Sequence, residues 1–229
     1  MSNLEFKEPL SWTVPADKMV IRGRLDAEHF QPKFDELLER IASDGLALPL
    51  AELASVIRRG KQPRYVDDGE ILVINSRHVG HQLINVDEAE RTDREFWEDN
   101  PTARVKVGDV ILNSTGVGSI GRANCVLHSA RSVVDNHVTI IRVDPKVIDP
   151  AYLAVFLNSR VGMMQTEQWL SGSSGQIELY PASIGKFSIR VPDLKRQHKI
   201  GTHVRDAYKA RKSLMLLMQS AEDEVESLL

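Results

Sequence analysis

The spacing of apolar residues predicts helical segments at both ends of a β-rich region. Between Glu28 and Asp44 the apolar residues recur at helical intervals, with Pro32 in the first turn and Gly45 where the pattern stops. We therefore predict one amphipathic helix there. Residues 50–56 are compatible with either a short helix or a strand.

Short β-rich runs dominate the chain after residue 70. They are separated by Gly, Asp, Asn and Pro turn signals and cover residues 71–75, 105–113, 122–127 and 133–143. Pro150 starts a helical segment, a second one reaches Trp169, and residues 184–191 have the pattern of a last strand. For residues 1–194 we predict an α/β (α+β) domain, with a mixed, largely antiparallel sheet module and packed helices.

A long heptad pattern marks residues 195–229 as a separate helix. One residue in every three or four is apolar over more than four repeats, with only Arg211 interrupting the set. The set is Ile200, Val204, Ala207, Leu214, Met218, Ala221, Val225 and Leu228. About 33 helical residues extend about 50 Å, so the apolar stripe must be covered by the body or by another helix. We favour a second helix in a coiled coil.

The charge along this helix changes sign. Seven cations and one acid lie between Lys195 and Lys212, whereas the end is acidic through Glu222, Asp223, Glu224 and Glu226. Two copies therefore match best when they are antiparallel. Exposed ion pairs add little stability, so they would set the orientation of the helices. The alternative is a solvated helix whose charges are scattered by chance.

Composition narrows the class of protein. The net charge of −3 gives no general signal for nucleic acid, so electrostatic arguments rest on local clusters. The single cysteine, Cys125, falls in a predicted strand, which indicates a buried thiol and no disulfide framework. The chain starts without a leader pattern, and no window reaches the roughly 20 apolar residues of a membrane span. We expect a cytoplasmic protein that does not associate with membranes.

A glycine-rich stretch follows the run that ends at residue 113. The spacing of Gly116, Gly118 and Gly121 matches a dinucleotide-binding fingerprint, which works only where the glycines open a helix. Residues 122–127 instead predict a returning strand. A small nucleotide-binding or hydrolytic enzyme that uses the Gly116–Gly121 loop is therefore the alternative hypothesis.

Residue patterns of catalysis and metal binding are absent from the sequence. His78 and His81 are three residues apart without a further ligand nearby, and there is no nucleophile elbow or phosphate-binding loop. The segment from Pro192 to Lys195 lacks the second acid of a nuclease motif. We predict no catalytic residue, no metal and no cofactor, and thus a protein that recognises rather than reacts.

Duplex DNA is recognised by cations that contact phosphates and by polar groups on loops that reach base edges. The chain offers four cations in one short segment, namely Arg58, Arg59, Lys61 and Arg64. Polar candidates for base contacts are Asn75, Ser76, Arg77, His78, Ser114, Thr115, Arg122, Ser173, Ser174 and Gln176. For each of these residues alone, an ordinary solvated side chain is the alternative.

The order of these pieces resembles the specificity (S) subunits of type I restriction-modification systems over nearly the whole chain. The resemblance rests on residues 24–34 (RLDAEHFQPKF), 57–65 (IRRGKQPRY), 108–118 (GDVILNSTGVG), 152–159 (YLAVFLNS), 172–175 (GSSG) and 191–197 (VPDLKRQ). It implies a target recognition domain that reads half of a split double-stranded DNA site. It also implies that the long helix is a spacer and docks a DNA methyltransferase (M) subunit.

The resemblance further implies that catalysis belongs to partners. S-adenosylmethionine and adenine methyl transfer would belong to the M subunit, and cleavage to a restriction (R) subunit that joins the complex. Full S subunits usually carry two recognition domains and two helices, so this chain is similar to half a subunit. We expect an antiparallel homodimer and a palindromic, interrupted target. The alternatives are a heterodimer with another half subunit and a piece of a longer protein.

Overall fold

The structure is a computed structural model that describes residues 11–43, 45–80, 83–172 and 176–228. The predicted contacts Ser173 and Ser174, and the predicted end of the first helix at Asp44, lie outside these residues. The chain begins with helix α1 (Ala16–Arg22), a 3₁₀ turn (Ala27–Phe30) and helix α2 (Pro32–Ser43).

The single helix predicted from Glu28 is wrong at its start. Gln31 is extended, with φ −58° and ψ 136°, because the residue before a proline is disfavoured in the α conformation. Helix α2 therefore begins at Pro32, whose missing N–H group costs nothing in a first turn. The helix buries Phe34, Leu37 and Ile41, so its predicted apolar face is confirmed.

A four-stranded antiparallel sheet forms the centre of the body. Its strands are β2 (Ala54–Arg59), β8 (Val138–Val143), β5 (Val110–Asn113) and β6 (Ala123–Cys125), in that spatial order. Helix α3 (Leu50–Leu53) leads directly into β2, so residues 50–56 adopt both of the states that their pattern allowed. The returning strand predicted after the glycine-rich stretch is confirmed as β6.

Two smaller sheets complete the strands. In one, β4 (Glu90–Thr92) is antiparallel and β7 (Ser132–Val134) parallel to the central β3 (Ile71–Ile74). In the other, β1 (Ala47–Pro49) pairs with β9 (Ser188–Arg190). The predicted mixed and largely antiparallel module with packed helices is therefore confirmed.

Helices and sheets enclose the core on both faces of the four-stranded sheet. The helices are α4 (Arg94–Asp99), α5 (Pro150–Asn158), α6 (Arg160–Trp169) and α7 (Pro181–Ile184). One sheet face, with Leu112 and Ile141, packs on apolar residues of α5 such as Leu153. The other face, with Ile111 and Ile140, packs on Ile74, Val79 and Val134. Burial of this apolar surface stabilises the body.

The predicted strands are shorter than their sequence patterns, and three of them differ most. The run 133–143 breaks at a turn in which the Asp135 carboxylate accepts the His137 N–H at 2.9 Å. The run 105–113 becomes β-structure only at Val110, because Lys106 to Asp109 form a turn with Gly108 at φ 89°. The run 184–191 shrinks to β9, since Pro181 starts α7 just before it.

The C-terminal helix α8 (Leu194–Glu226) has 33 residues and is capped by the Asp193 carboxylate, which accepts the Arg196 N–H. Its first turns pack on the body, with Ile200 and Val204 against the main core. Both residues are only partly buried there, so the body covers one side of this part of the stripe that was predicted to face a partner helix. None of the helices in the described ranges, α8 included, is both long and apolar enough to cross a membrane.

Candidate nucleic-acid interface

Strand topology brings five separate segments to one side of the body. Strands β2 and β5 end at the edge where β8 and β6 begin, because neighbours in the four-stranded sheet are antiparallel. Parallel β3 and β7 end there too, and the Asp135 N–H donates to the Ile74 carbonyl at 3.2 Å. We call this side the polar edge; it comprises residues 58–61, 75–78, 114–122, 135–137 and 176–180.

Two neighbouring arginines at the end of β2 have different surroundings. The Arg59 guanidinium lies 3.4 Å from Glu178 and 5.3 Å from the centre of the Tyr180 ring. Arg58 projects to the other sheet face, and its Nε has no hydrogen-bond partner among the described residues. Both guanidinium groups are thus partly covered, and the ring and carboxylate orient that of Arg59.

A glycine brings the basic segment close to the β7–β8 turn. A Cβ on Gly60 would lie 2.0 Å from the Val134 carbonyl oxygen. The Gly60 N–H donates to the Val138 carbonyl and the Lys61 N–H to that of Val134, at 3.0 and 3.2 Å. Lys61 itself is exposed. These hydrogen bonds therefore fix the backbone of residues 58–61, which carries Arg58, Arg59 and Lys61.

Arg64 lies elsewhere, although it is close in sequence to the other cations. Its carbonyl accepts the Thr92 hydroxyl at 2.8 Å, and Thr92 pairs with Ile71, at the start of β3 and so at the end remote from the polar edge. Its side chain lines a cleft with the acidic residues Asp93 and Glu95. The structure therefore separates Arg64 from the other predicted phosphate contacts.

Two predicted base contacts turn out to be internal. Asn75 and His78 are buried: the Asn75 N–H donates to His78 Nδ1 at 3.1 Å, and His78 Nε2 lies 3.1 Å from the Glu88 carbonyl oxygen. Burial lowers the pKa of His78, so the ring stays neutral near pH 7. Their direct contact with DNA is corrected to a role in shaping the loop, which leaves the exposed Arg77 and partly exposed Ser76 available.

Buried asparagines fix this loop, and sequence reasoning missed them. The Asn113 side chain donates to the Ser76 carbonyl at 3.0 Å, and that of Asn124 to the Gly80 carbonyl at 2.7 Å. The loop tip is held further by Glu90, which pairs with Arg77. Asparagine inside apolar strands was the available signal, because a buried amide requires hydrogen-bond partners.

The glycine-rich stretch is a connection between antiparallel strands. Gly116, Gly118 and Gly121 have φ values of 99°, 81° and 86°, which suit only glycine. The stretch enters β6 and opens no helix, so the condition for a dinucleotide fingerprint is not met. Arg122 is partly exposed and donates to the Gly118 carbonyl at 2.6 Å. Ser114 is buried against Thr139, so its predicted contact with DNA is also corrected.

His137 is a polar-edge residue that sequence reasoning missed. It is exposed, its Nδ1 lies 2.7 Å from the Thr115 hydroxyl, and its carbonyl accepts the Ser114 N–H at 2.8 Å. Burial raises the pKa of Asp135, against the opposing hydrogen bond from the His137 amide. The residue was missed because it falls inside a run that predicted one strand. Gln176 is exposed at the start of the segment that pairs with Thr115 through Glu178.

The single cysteine is part of the main core. Cys125 is buried as predicted, and burial raises the pKa of its thiol to about 12. The thiol is therefore protonated near neutral pH and a poor nucleophile. In the described part of the chain, no three His, Cys, Asp or Glu side chains are grouped so that they could hold a metal ion.

A buried ion pair fixes α8 to the body. Arg205 donates two hydrogen bonds to Asp149, at 3.1 and 3.0 Å, and Gln197 accepts the Asp149 N–H at 2.8 Å. Burial alone would raise the pKa of Asp149, but the bonds from Arg205 and from the backbone at the start of α5 hold it below its usual value. Farther along, Arg211 donates to Asn85 at 2.7 Å. Within the described residues, no hydrogen bond or ion pair joins α8 to the body beyond this point.

The sequence matches no protein-family model, and no curated protein matches it. Solved structures do match in fold. The S subunit of a type I restriction-modification system from M. genitalium superposes with a TM-score of 0.55 and 14% identity, covering 76% of this chain and 41% of that one. The HsdS subunit from Thermoanaerobacter tengcongensis gives 0.50 and 13%, covering 80% and 44%. A chain from work on assembly and conformational transition of the type I R-M system gives 0.52 and 14%, covering 92% and 52%.

These likenesses define the fold. The body and long helix have the fold of type I S subunits, so the resemblance inferred from the sequence is confirmed at that level. The chain spans between 41% and 52% of the length of these three solved chains.

Proposed function

We propose that this chain is a DNA-recognition subunit of a type I restriction-modification system that reads half of a bipartite target and performs no catalysis itself. The convergence of five segments at the polar edge carries the proposal. Cations and exposed polar side chains stand there on loops that are held by internal hydrogen bonds. Such a preorganised polar surface suits recognition, because little entropy is lost when it binds.

Phosphate contacts are assigned to the cations that surround the polar edge. Arg58, Arg59 and Lys61 follow one segment, and Arg122 lies across the glycine-rich stretch. Such contacts position a protein on the duplex without regard to sequence. Arg64 is left out because it stands beside acidic residues at the far end of β3.

Base contacts are assigned to the exposed polar side chains, with His137 added to Ser76, Arg77, Thr115 and Gln176. We assign the Thr115 hydroxyl as the donor to His137 Nδ1, 2.7 Å away, which leaves the proton of the ring on Nε2. An outward N–H group of this kind suits an acceptor on a base edge, such as guanine N7 or O6.

The long helix is assigned to assembly. Its outer half carries an exposed apolar stripe, and its charge reverses along its length, which supports an antiparallel homodimer. A helix of about 50 Å exceeds the ~34 Å of one DNA turn, so two recognition domains would read half-sites separated by a gap. We further propose that this part docks the M subunit, which would supply adenine methylation, with an R subunit joining the complex.

Selection from a random duplex library by the full chain tests this function. We expect a split, palindromic sequence to be enriched, with an affinity that falls steeply between 50 and 200 mM salt because several phosphates are contacted. Coexpression with an adenine DNA methyltransferase subunit should place methyl groups in the same sequence. No enriched sequence, together with binding that does not respond to salt, would overturn the proposal.

A further inference from the structure

An apolar groove opens where α8 leaves the body. It has a volume of about 650 Å³ and lies between α8, α5, β6 and the loop before β4. Its apolar lining includes Leu83, Cys125, Val155, Val204 and Ala207. Val155 is 39% exposed on α5 and faces this open space. Apolar surface of this kind is stabilised when another apolar surface covers it.

The groove and the bare part of α8 belong to one continuous stripe. Val204 and Ala207 line the groove and are heptad positions of the same series that continues through Leu214 and Met218 to Leu228. From Leu214 onward every large apolar member of the series is more than half exposed. A helix laid along the bare stripe therefore runs into the groove.

We propose that the groove receives the C-terminal end of α8 from a second copy of this chain. The inference rests on the homodimer of the proposed function and fixes how the two helices meet. In this register Leu214 faces Met218 of the other copy and Arg211 faces Ala221. Farther along, Ala207 faces Val225, and Val204 faces Leu228 at the groove.

The distribution of apolar residues selects this register. Its twofold axis passes beside Leu216, the middle of five consecutive apolar residues, 214–218, which are 48% to 69% exposed. The axis thus brings the two largest bare clusters into contact. Layers of one helix fit between those of the other, and the small Ala221 leaves room for the Arg211 side chain.

Charge separates this register from its neighbours. Here Glu222 and Glu224 of one copy lie near Arg211 and Lys212 of the other. A shift by one heptad toward the C-terminus faces these acids with the apolar cluster and leaves the groove empty. A shift the other way places the two copies of Lys212 side by side, which like charge disfavours.

Cysteine pairs on α8 test the register in the full chain. Ala207→Cys with Val225→Cys should form a disulfide-linked dimer, because the two sites lie about 27 Å apart on one helix and can only bond between copies. Leu214→Cys with Val225→Cys is the matched control, since it reports the register shifted by one heptad. The wild-type chain, with only Cys125, should not cross-link.

A groove variant tests the occupant separately. Val155→Glu should weaken the dimer at least tenfold in sedimentation equilibrium, whereas Val107→Glu, at a residue 62% exposed on the body, should change it less than twofold. Cross-linking of the control pair alone, a monomeric chain, or a dimer indifferent to Val155→Glu would each overturn the groove assignment. Selection of DNA from a random library by the same preparations tests DNA recognition separately, so failure of the groove assignment and failure of the proposed function can be told apart.

Discussion

The polar edge and the outer half of α8, taken with the two residues after it as residues 214–228, are both open surfaces but of opposite kinds. At the polar edge, hydrogen bonds from the body fix the positions of solvent-exposed groups. The Thr115 hydroxyl bonds to the His137 ring, and the Asn113 side chain donates to the Ser76 carbonyl. The outer half of α8 carries an exposed apolar stripe, and no hydrogen bond or ion pair among the described residues supports it from the body. One surface is ready to bind as it stands, whereas the other is stable in water only when covered.

In the proposed function, recognition is assigned to the polar edge of the body and assembly to the outer half of α8. The Asp149–Arg205 pair and the bonds of Arg211 connect these ends, because they fix the direction in which α8 leaves the body. The spacing of two polar edges in a dimer would therefore depend on this connection. Substitutions at each end should affect one property and spare the other.

The largest effect is expected on the apolar end. Leu214→Asp with Met218→Asp would bury unpaired carboxylates at the dimer centre and should weaken dimerisation more than about hundredfold, since an uncompensated buried charge costs several kcal/mol. Sedimentation equilibrium measures this. Ser213→Asp with Ser220→Asp adds the same charge off the stripe and should leave most of the dimer. Equal behaviour of both variants would mean that the stripe is not the contact.

At the other end, removal of two cations should weaken DNA binding without changing the dimer. Arg58→Ala with Arg59→Ala should lower affinity for all sequences by roughly tenfold to a hundredfold and reduce the slope of log affinity against log salt by about 2. Fluorescence anisotropy over a salt series measures both. Arg64→Ala is the matched control and should bind as wild type does. A loss confined to one DNA sequence would contradict a phosphate role.

These two surfaces were not equally visible in the sequence. The stripe on α8 follows from the heptad spacing of Leu214, Met218 and Val225 alone, because a helix is a local structure. The polar edge could be anticipated only as a set of loops. Its assembly depends on the pairing of β2 with β8 and of β3 with β7, which are distant in sequence.

Errors at single residues have the same cause. Asn75, His78 and Ser114 were assigned to DNA by residue type, but three-dimensional packing buries them and uses their polar atoms inside the body. Arg64 was grouped with Arg58 by proximity along the chain, although a loop carries it to the other end of β3. Burial and long-range pairing were the missing information in each case.

The connection between the two ends can be broken by Arg205→Met. Loss of the partner of buried Asp149 should lower the free energy of unfolding by about 2 kcal/mol, with the partial exposure of Arg205 reducing the usual cost. Lys209→Met, on the same helix but exposed, is the control. Urea unfolding measures both. Because the folded pKa of Asp149 is lowered, its contribution is present above the unfolded pKa of about 4 and is lost as pH falls through the folded value.

A finer test of the polar edge concerns His137. Replacement of this residue by Ala should reduce discrimination at one base pair by about tenfold, the lower range for a specific base contact, while affinity for unrelated DNA stays constant. Thr115→Val should give a smaller loss of discrimination at the same base pair, because it removes only the hydroxyl that keeps the His137 ring proton on Nε2. Selected libraries of the variants reveal the altered position. A uniform loss across all sequences would assign His137 to the backbone instead.

The smallest expected effect is a difference in pH dependence between the polar edge and residues 214–228. His78 lies buried beneath the polar edge with a lowered pKa, whereas residues 214–228 contain no histidine. Its stabilising effect is complete above the unfolded pKa of about 6.5 and declines as pH falls toward the lower folded value. At pH 6 the decline is at most about 0.8 kcal/mol for one such group. His78→Gln should flatten the pH dependence of unfolding by this amount, whereas the pH dependence of dimerisation through α8 should stay the same in this variant. Urea unfolding and sedimentation equilibrium over a pH series measure the two properties.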